Sequence, residues 1–130
     1  IEPCGFPLTD KALRRSAMDY AGLIEPVRHD GWKAFLAHEK NQRPKRRLVL
    51  LSTKAQSQLQ DFAFSPDDSL ILGRESAGVP DSVVADVDAS VRIPLSPQSR
   101  SFNVVMAAGI ALYEGLRQTG ALPQYTTGAS

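Results

Sequence analysis

Three short apolar runs, Leu48–Leu51, Leu70–Leu72 and Val91–Leu95, constrain the fold of this chain more than any other feature. Runs this short, without polar alternation, suit strands covered on both faces, which is the arrangement of a parallel α/β sheet. Parallel strands need crossover connections, and the intervening segments can supply them. Residues 80–87 are predicted as one helix, with Pro80 tolerated in its first turn. A longer helix is predicted from about Ser101 to Gln118, closed by Gly120. Its Ala107, Ala108, Gly109 and Ala111 are small enough to let it approach neighbouring backbone closely. Upstream, Thr9 or Asp10 can cap a helix running to Tyr20, with Leu13, Ala17 and Tyr20 on one face and Lys11, Arg14 and Arg15 on another. A further helix is predicted from Asp30-Gly31 to near Lys40, with Trp32, Phe35 and Leu36 as its apolar side. Asn41 to Arg47 is a polar connection broken by Pro44, and Ala121 onward reads as a short flexible tail.

Composition narrows the function classes. A chain of 130 residues with 42% hydrophobic content is sized for one compact domain. The net charge of +1 gives no global field for gripping nucleic acid, so any such binding has to come from local clusters. A single cysteine, Cys4, excludes an internal disulfide, and with only His29 and His38 beside it a spaced zinc quartet is excluded too. No apolar run approaches the roughly 20 residues needed to cross a bilayer. A soluble protein of a reducing, cytoplasmic setting is expected. The start, Ile1-Glu-Pro-Cys-Gly5, reads like the exit of a strand, so a first strand and helix are expected to be missing ahead of it.

Each of the three strands leads into residues unsuited to a plain turn: Leu51 to Lys54, Leu72 to Pro80, and Ile93 to Asn103. In open α/β sheets ligands sit beyond the carboxyl ends of strands. Three such loops are therefore expected to converge on one pocket.

The motifs in these loops carry a resemblance. Leu-Gly-x-Glu-x-x-Gly-x-Pro (Leu72 to Pro80), Ile-Pro-Leu (Ile93 to Leu95) about twenty residues after its start, and Ser-Phe-Asn-Val (Ser101 to Val104) are similar to the second and third motifs of the SPOUT superfamily. Ile1-Glu-Pro-Cys-Gly-Phe6, Asp10-Lys-x-Leu-Arg-Arg15, Asp19-Tyr20 and Ser99-Arg-Ser-Phe-Asn103 resemble, more narrowly, the small bacterial tRNA (cytidine/uridine) 2′-O-methyltransferases that act on the anticodon wobble nucleotide. The resemblance runs from Ile1 to about Gly120. It implies an α/β-knot domain over residues 1–120, with a C-terminal deep trefoil knot, followed by a tail over 121–130. It also implies S-adenosylmethionine as cofactor with S-adenosylhomocysteine as product, tRNA as substrate, and a homodimer with the last helix at its interface.

By the same resemblance, Leu51, Gly73, Ile93 and Ser101 match positions that contact the bent cofactor, with Ser52, Thr53, Pro94 and Leu95 beside them. Gly73 and Gly78 have an alternative reading as turn glycines, and Glu75 as a brace for its loop rather than a ligand contact. Ser101 and Asn103 either cap the last helix or orient the methyl group and ribose. Tyr113 is by default a core aromatic, whereas the family implies an interface near the reacting centre. Arg14, Arg15, Lys54 and Arg100 are candidate phosphate contacts that could equally be solvated surface. Lys45, Arg46 and Arg47 are expected to face solvent, Trp32 to be core, Cys4 to be a small buried residue, and His29 and His38 to have no special role.

The reaction so implied is in-line displacement at a sulfonium methyl by a ribose 2′-oxygen. The leaving group is already positively charged, so alignment and proton removal are the main tasks and no metal is required. The family's first motif, Asn-x-Gly-x-x-x-Arg, is not in this sequence, and with it goes an arginine expected to activate the hydroxyl. Two alternatives stay open: a knotted RNA-binding protein without catalysis, and a 2′-O-methyltransferase acting on another tRNA or rRNA position. A Rossmann-type nucleotide enzyme is disfavoured, because neither a Gly-x-Gly-x-x-Gly nor a Walker lysine loop occurs.

Overall fold

The computed structural model describes residues 26–73, 79–94 and 104–123. The chain divides into two compact units, Ile1–Arg43 and Pro44–Ser130. The helix expected over residues 9–20 lies outside the described residues.

Within the first unit the described helix is α1, Trp32–Lys40, with Gly31 as its N-cap. Its start and end agree with the expectation from Asp30-Gly31 and Lys40. Trp32, expected as core, is only half-buried, and no residue of α1 is fully buried. Its ring lies 5.4 Å from that of Phe35, which meets His29 edge-on at 5.3 Å. His29 also touches His38, at 4.9 Å. His29 and His38 thus belong to a local aromatic cluster beside the helix.

The second unit holds a four-stranded parallel sheet in the order β2-β4-β1-β3, made of β1 (Leu48–Leu51), β2 (Ser57–Gln58), β3 (Ser69–Ile71) and β4 (Ala89–Arg92). Leu48 stands beside Ser69, and Leu51 beside Val91, so β1 is the central strand with partners on both sides. Leu48, Val49 and Leu50 are buried although successive side chains of a strand point to opposite faces. Both faces of β1 are therefore covered, which is why its sequence shows no alternation. A 3-10 turn, Leu59–Asp61, follows β2. Helix α2, Asp81–Asp86, precedes β4, and helix α3 runs from Val104 to Thr119.

The core on one face is Val49, Leu59, Val91 and Ala111, with Leu51, Phe62, Phe64, Leu70, Ile93 and Ile110 packed against it. Ala111 brings α3 onto the sheet, and farther along the helix the Gln118 side-chain oxygen accepts the Phe64 N–H at 2.8 Å. Gly109 has open space around it, so close approach of α3 is the work of Ala111 and not of that glycine. The helix ends as expected at Gly120, whose φ of 72° is left-handed. The Gly120 and Ala121 N–H groups return to the carbonyls of Arg117 and Leu116, a Schellman cap.

Three further expectations need correction. The strand placed at 91–95 runs instead from Ala89 to Arg92. It starts early because Asp88 pairs with Leu48 twice: its N–H donates to the Leu48 carbonyl and its carboxylate accepts the Leu48 N–H at 2.7 Å. It stops short of Pro94, which has no N–H for a ladder. Arg47 does not simply face solvent, because its Nε and Nη2 fork onto Asp68 at 2.9 and 2.7 Å. Its guanidinium also lies over the Phe62 ring and donates to the Ala63 carbonyl. Tyr113 is not core: it is 59% exposed.

Candidate cofactor and RNA site at the carboxyl edge of the sheet

Because β1, β3 and β4 are parallel and adjacent, their exits share one edge of the sheet. Val49, Leu50 and Leu51 stand beside Ala89, Ser90 and Val91 on one side, and Leu50 beside Ile71 on the other. The Ser52 N–H donates to the Val91 carbonyl at 2.9 Å, carrying the pairing one residue past the strand. The chain then turns sharply. The Ser52 hydroxyl accepts the Lys54 N–H at 3.2 Å, and the Ser52 carbonyl accepts the Ala55 N–H at 3.2 Å. Ala55 is buried, which anchors the turn and leaves Thr53 and Lys54 exposed at its apex.

On one side of this turn β3 exits through exposed Leu72 and half-buried Gly73. On the other side β4 exits through exposed Arg92, half-buried Ile93 and exposed Pro94. The structure thus brings Leu51, Ser52, Thr53, Gly73, Ile93 and Pro94 of the expected cofactor set to one edge, with Lys54 beside them. Leu51 and Ile93 keep contact with the core, so the floor of this edge is apolar and fixed. Glu75, Gly78, Leu95, Ser101, Asn103, Arg14, Arg15 and Arg100 lie outside the described residues.

Tyr113 belongs to a different surface. With Val105, Met106 and Leu112 it forms an exposed apolar stripe along α3, and Gly109 falls within it. The spacing 105, 109, 112 and 106, 109, 113 places these residues on one helical face. The opposite face, through Ala111, is the one packed on the sheet. Sequence reasoning passed over Arg92, whose only signal was its place as the last residue before Ile93-Pro94.

Among the described residues no cluster of three or more His, Cys, Asp or Glu could hold a metal ion, and no helix is long and apolar enough to cross a membrane.

Comparison with known proteins gives the same picture at greater depth. The model of the SpoU rRNA Methylase family matches residues 1–113. A relative from Beijerinckia indica, a tRNA (cytidine(34)-2′-O)-methyltransferase, is 53% identical over 122 residues, which is 94% of this chain and 75% of that protein. A structure solved to explain the 2-OH methylation of C/U34 on tRNA superposes with a TM-score of 0.77 at 31% identity, covering 90% of this chain and 74% of the other. The SpoU methyltransferase AviRb from Streptomyces viridochromogenes, in complex with the cofactor AdoMet, gives a TM-score of 0.70 at 25% identity, covering 83% of this chain and 44% of that one. A parallel α/β sheet whose strand exits share one edge and a family match over most of the sequence together establish that this chain belongs to the SpoU rRNA methylase family.

Proposed function

We propose that this protein is a tRNA methyltransferase that moves a methyl group from S-adenosylmethionine to the ribose 2′-hydroxyl of the wobble nucleotide, a cytidine or uridine. The observation that carries this reading is the 53% identity to a tRNA (cytidine(34)-2′-O)-methyltransferase. The likeness to the structure concerned with C/U34 supports both bases, and the AdoMet complex of AviRb supports the cofactor.

The described residues fit such a cofactor. Three adjacent strand exits offer peptide groups for a flat polar molecule, over an apolar floor of Leu51 and Ile93. Ser52, Thr53, Gly73 and Pro94 would hold it there, with Glu75, Gly78, Leu95 and Ser101 completing the set. When bound, S-adenosylmethionine supplies a methyl group on a positively charged sulfur, already activated for displacement. The protein's own residues are left with alignment and with removal of one hydroxyl proton. In this reading Ser101 and Asn103 orient the ribose, and Arg14, Arg15, Lys54 and Arg100 hold phosphates.

The same reading extends to a deep trefoil knot threaded by α3, to a methyltransferase domain over residues 1–120 with a tail over 121–130, and to a cytoplasmic location. It also covers oligomeric state. The stripe of Val105, Met106, Leu112 and Tyr113 is more apolar surface than a helix usually leaves in water, and a second copy of α3 would bury it. Tyr113 would then stand at the subunit interface near the reacting centre.

The test is methyl transfer itself. The full-length protein, given tritiated S-adenosylmethionine and tRNA from a strain lacking its gene, should label a 2′-O-methylated cytidine or uridine at the wobble position on nucleoside mass spectrometry. Label on a base, at another ribose, or nowhere would overturn the proposal.

A further inference from the structure

Among the described cations of the Pro44–Ser130 unit, two are held by partners within the unit. At the amino edge Arg47 is held by Asp68, by the Ala63 carbonyl and by the Phe62 ring, with Asp88 also at that edge bonding the Leu48 N–H. Away from the sheet edges, Arg117 of α3 forks onto Glu114. The carboxyl edge carries two further cations. Lys54 stands at the apex of the Ser52–Ala55 turn, and Arg92 is the last residue of β4, beside Ile93. Both are exposed, and neither side chain has a hydrogen bond or ion pair among the described residues. Asp61, the carboxylate following β2, makes no ion pair with either.

Register adds a second observation. Arg92 is the partner of Gln58 on β2, the strand at the border of the sheet. The two paired residues of β2, Ser57 and Gln58, are neutral and polar. A guanidinium whose donors have no partner among the described residues, beside the amide residue Gln58 and next to Ile93, is suited to an RNA phosphate, which it can meet with two parallel bonds.

We propose that Arg92, acting with Lys54, is a phosphate contact that positions the RNA strand across the carboxyl edge of the sheet, next to the nucleotide being methylated. The inference rests on the tRNA methyltransferase reading above and names a residue through which that reading would act. Arg92 is a positioning residue: it fixes where the backbone lies and takes no part in moving the methyl group.

Full-length Arg92→Gln, Arg92→Lys and Lys54→Gln proteins test it, with tRNA binding measured across a salt series and S-adenosylhomocysteine binding by calorimetry. Arg92→Gln should flatten the plot of log K against log salt by about 0.7 to 0.9 and raise KM for tRNA several-fold. Its S-adenosylhomocysteine affinity should match the parent protein. Arg92→Lys should restore the salt slope, since charge is kept, while regaining only part of KM because the fork is lost. Lys54→Gln, in the turn rather than a strand, should flatten the slope by a similar amount and guards against any folding defect of the strand variant. An unchanged slope and KM in Arg92→Gln would overturn the inference. So would a loss of S-adenosylhomocysteine affinity, which would assign Arg92 to the cofactor's carboxylate. A parent protein that binds no tRNA would remove the functional reading and this inference together, whereas a parent that binds and methylates tRNA no better than Arg92→Gln would refute the inference alone.

Discussion

Replacing Asp68 by Asn should cost stability without touching the cofactor edge, and the structure sets the size of the effect. Asp68 accepts two bonds from the Arg47 guanidinium and one from the Ser65 N–H at 2.8 Å. Its side chain is 5% exposed, whereas that of Arg47 is 40% exposed. An exposed pair is worth 0–1 kcal/mol and breaking a buried one costs roughly 3–5 kcal/mol, so this half-sheltered fork falls between, at about 2 kcal/mol. Asn keeps one acceptor but loses the charge and one arm of the fork. The expected loss at pH 7 is then on the order of 1.5 kcal/mol, or roughly 1 M in the urea midpoint of a small domain. The pH dependence gives the sharper check. Burial alone would raise the Asp68 carboxyl, but the Arg47 fork, the Ser65 N–H and the Arg47 charge outweigh it and hold the group below the usual carboxylate range. A carboxylate whose folded pKa is depressed contributes stability above its unfolded value, about 3.9, and loses it as pH falls through the lower folded value. The gap between parent and Asp68→Asn should therefore be full at pH 7 and narrow progressively below about pH 4. Urea titrations at pH 7, 4 and 3 measure it. An equal gap at pH 7 and pH 3, or none at pH 7, would refute the reasoning.

Two further outcomes follow from the placement of the carboxyl edge and of α3. Gly73→Val should abolish S-adenosylhomocysteine binding by calorimetry while the far-ultraviolet circular dichroism stays that of the parent; unchanged affinity would return Gly73 to the role of a turn residue. Val105→Asp combined with Leu112→Asp puts two charges on the exposed stripe of α3, so sedimentation equilibrium should fall from twice the chain mass to once. A parent protein already monomeric at micromolar concentration would disprove the interface.

The sequence made the strands legible where burial on both faces removed alternation, as at Leu48 to Leu51, and it made the end of α3 legible through Gly120. It did not reveal β2. Ser57 and Gln58 are polar, the strand is two residues long, and its only partner among the described residues is β4, far along the chain. Such a strand exists because a neighbour offers it a ladder, and no local propensity announces that. The bounds of β4 were misplaced for a related reason: the side chain of Asp88 reaches Leu48, forty positions away, and so decides where pairing begins. Arg47 read as one more cation in a polar connection because its partner Asp68 is 21 positions away in sequence.

The candidate site divides along the same line. Hydropathy located three strands but could not order them, and the convergence of Leu51, Gly73 and Ile93 depends on β1 lying between β3 and β4. The unusual strand-end loops implied a shared edge, since ligands sit beyond the carboxyl ends of strands, and left the order open. What neither route supplied is the contrast between the two edges. The carboxylates of Asp68 and Asp88 stand where the strands begin, and each accepts a bond that fixes such a beginning. Lys54 and Arg92, without partners among the described residues, stand where the strands end. The ion pair that supports the fold and the two cations of the proposed RNA contact therefore stand at opposite ends of the same strands. Substitutions at Asp68 and at Arg92 should for that reason separate cleanly, the first moving the unfolding midpoint and the second the salt dependence of RNA binding.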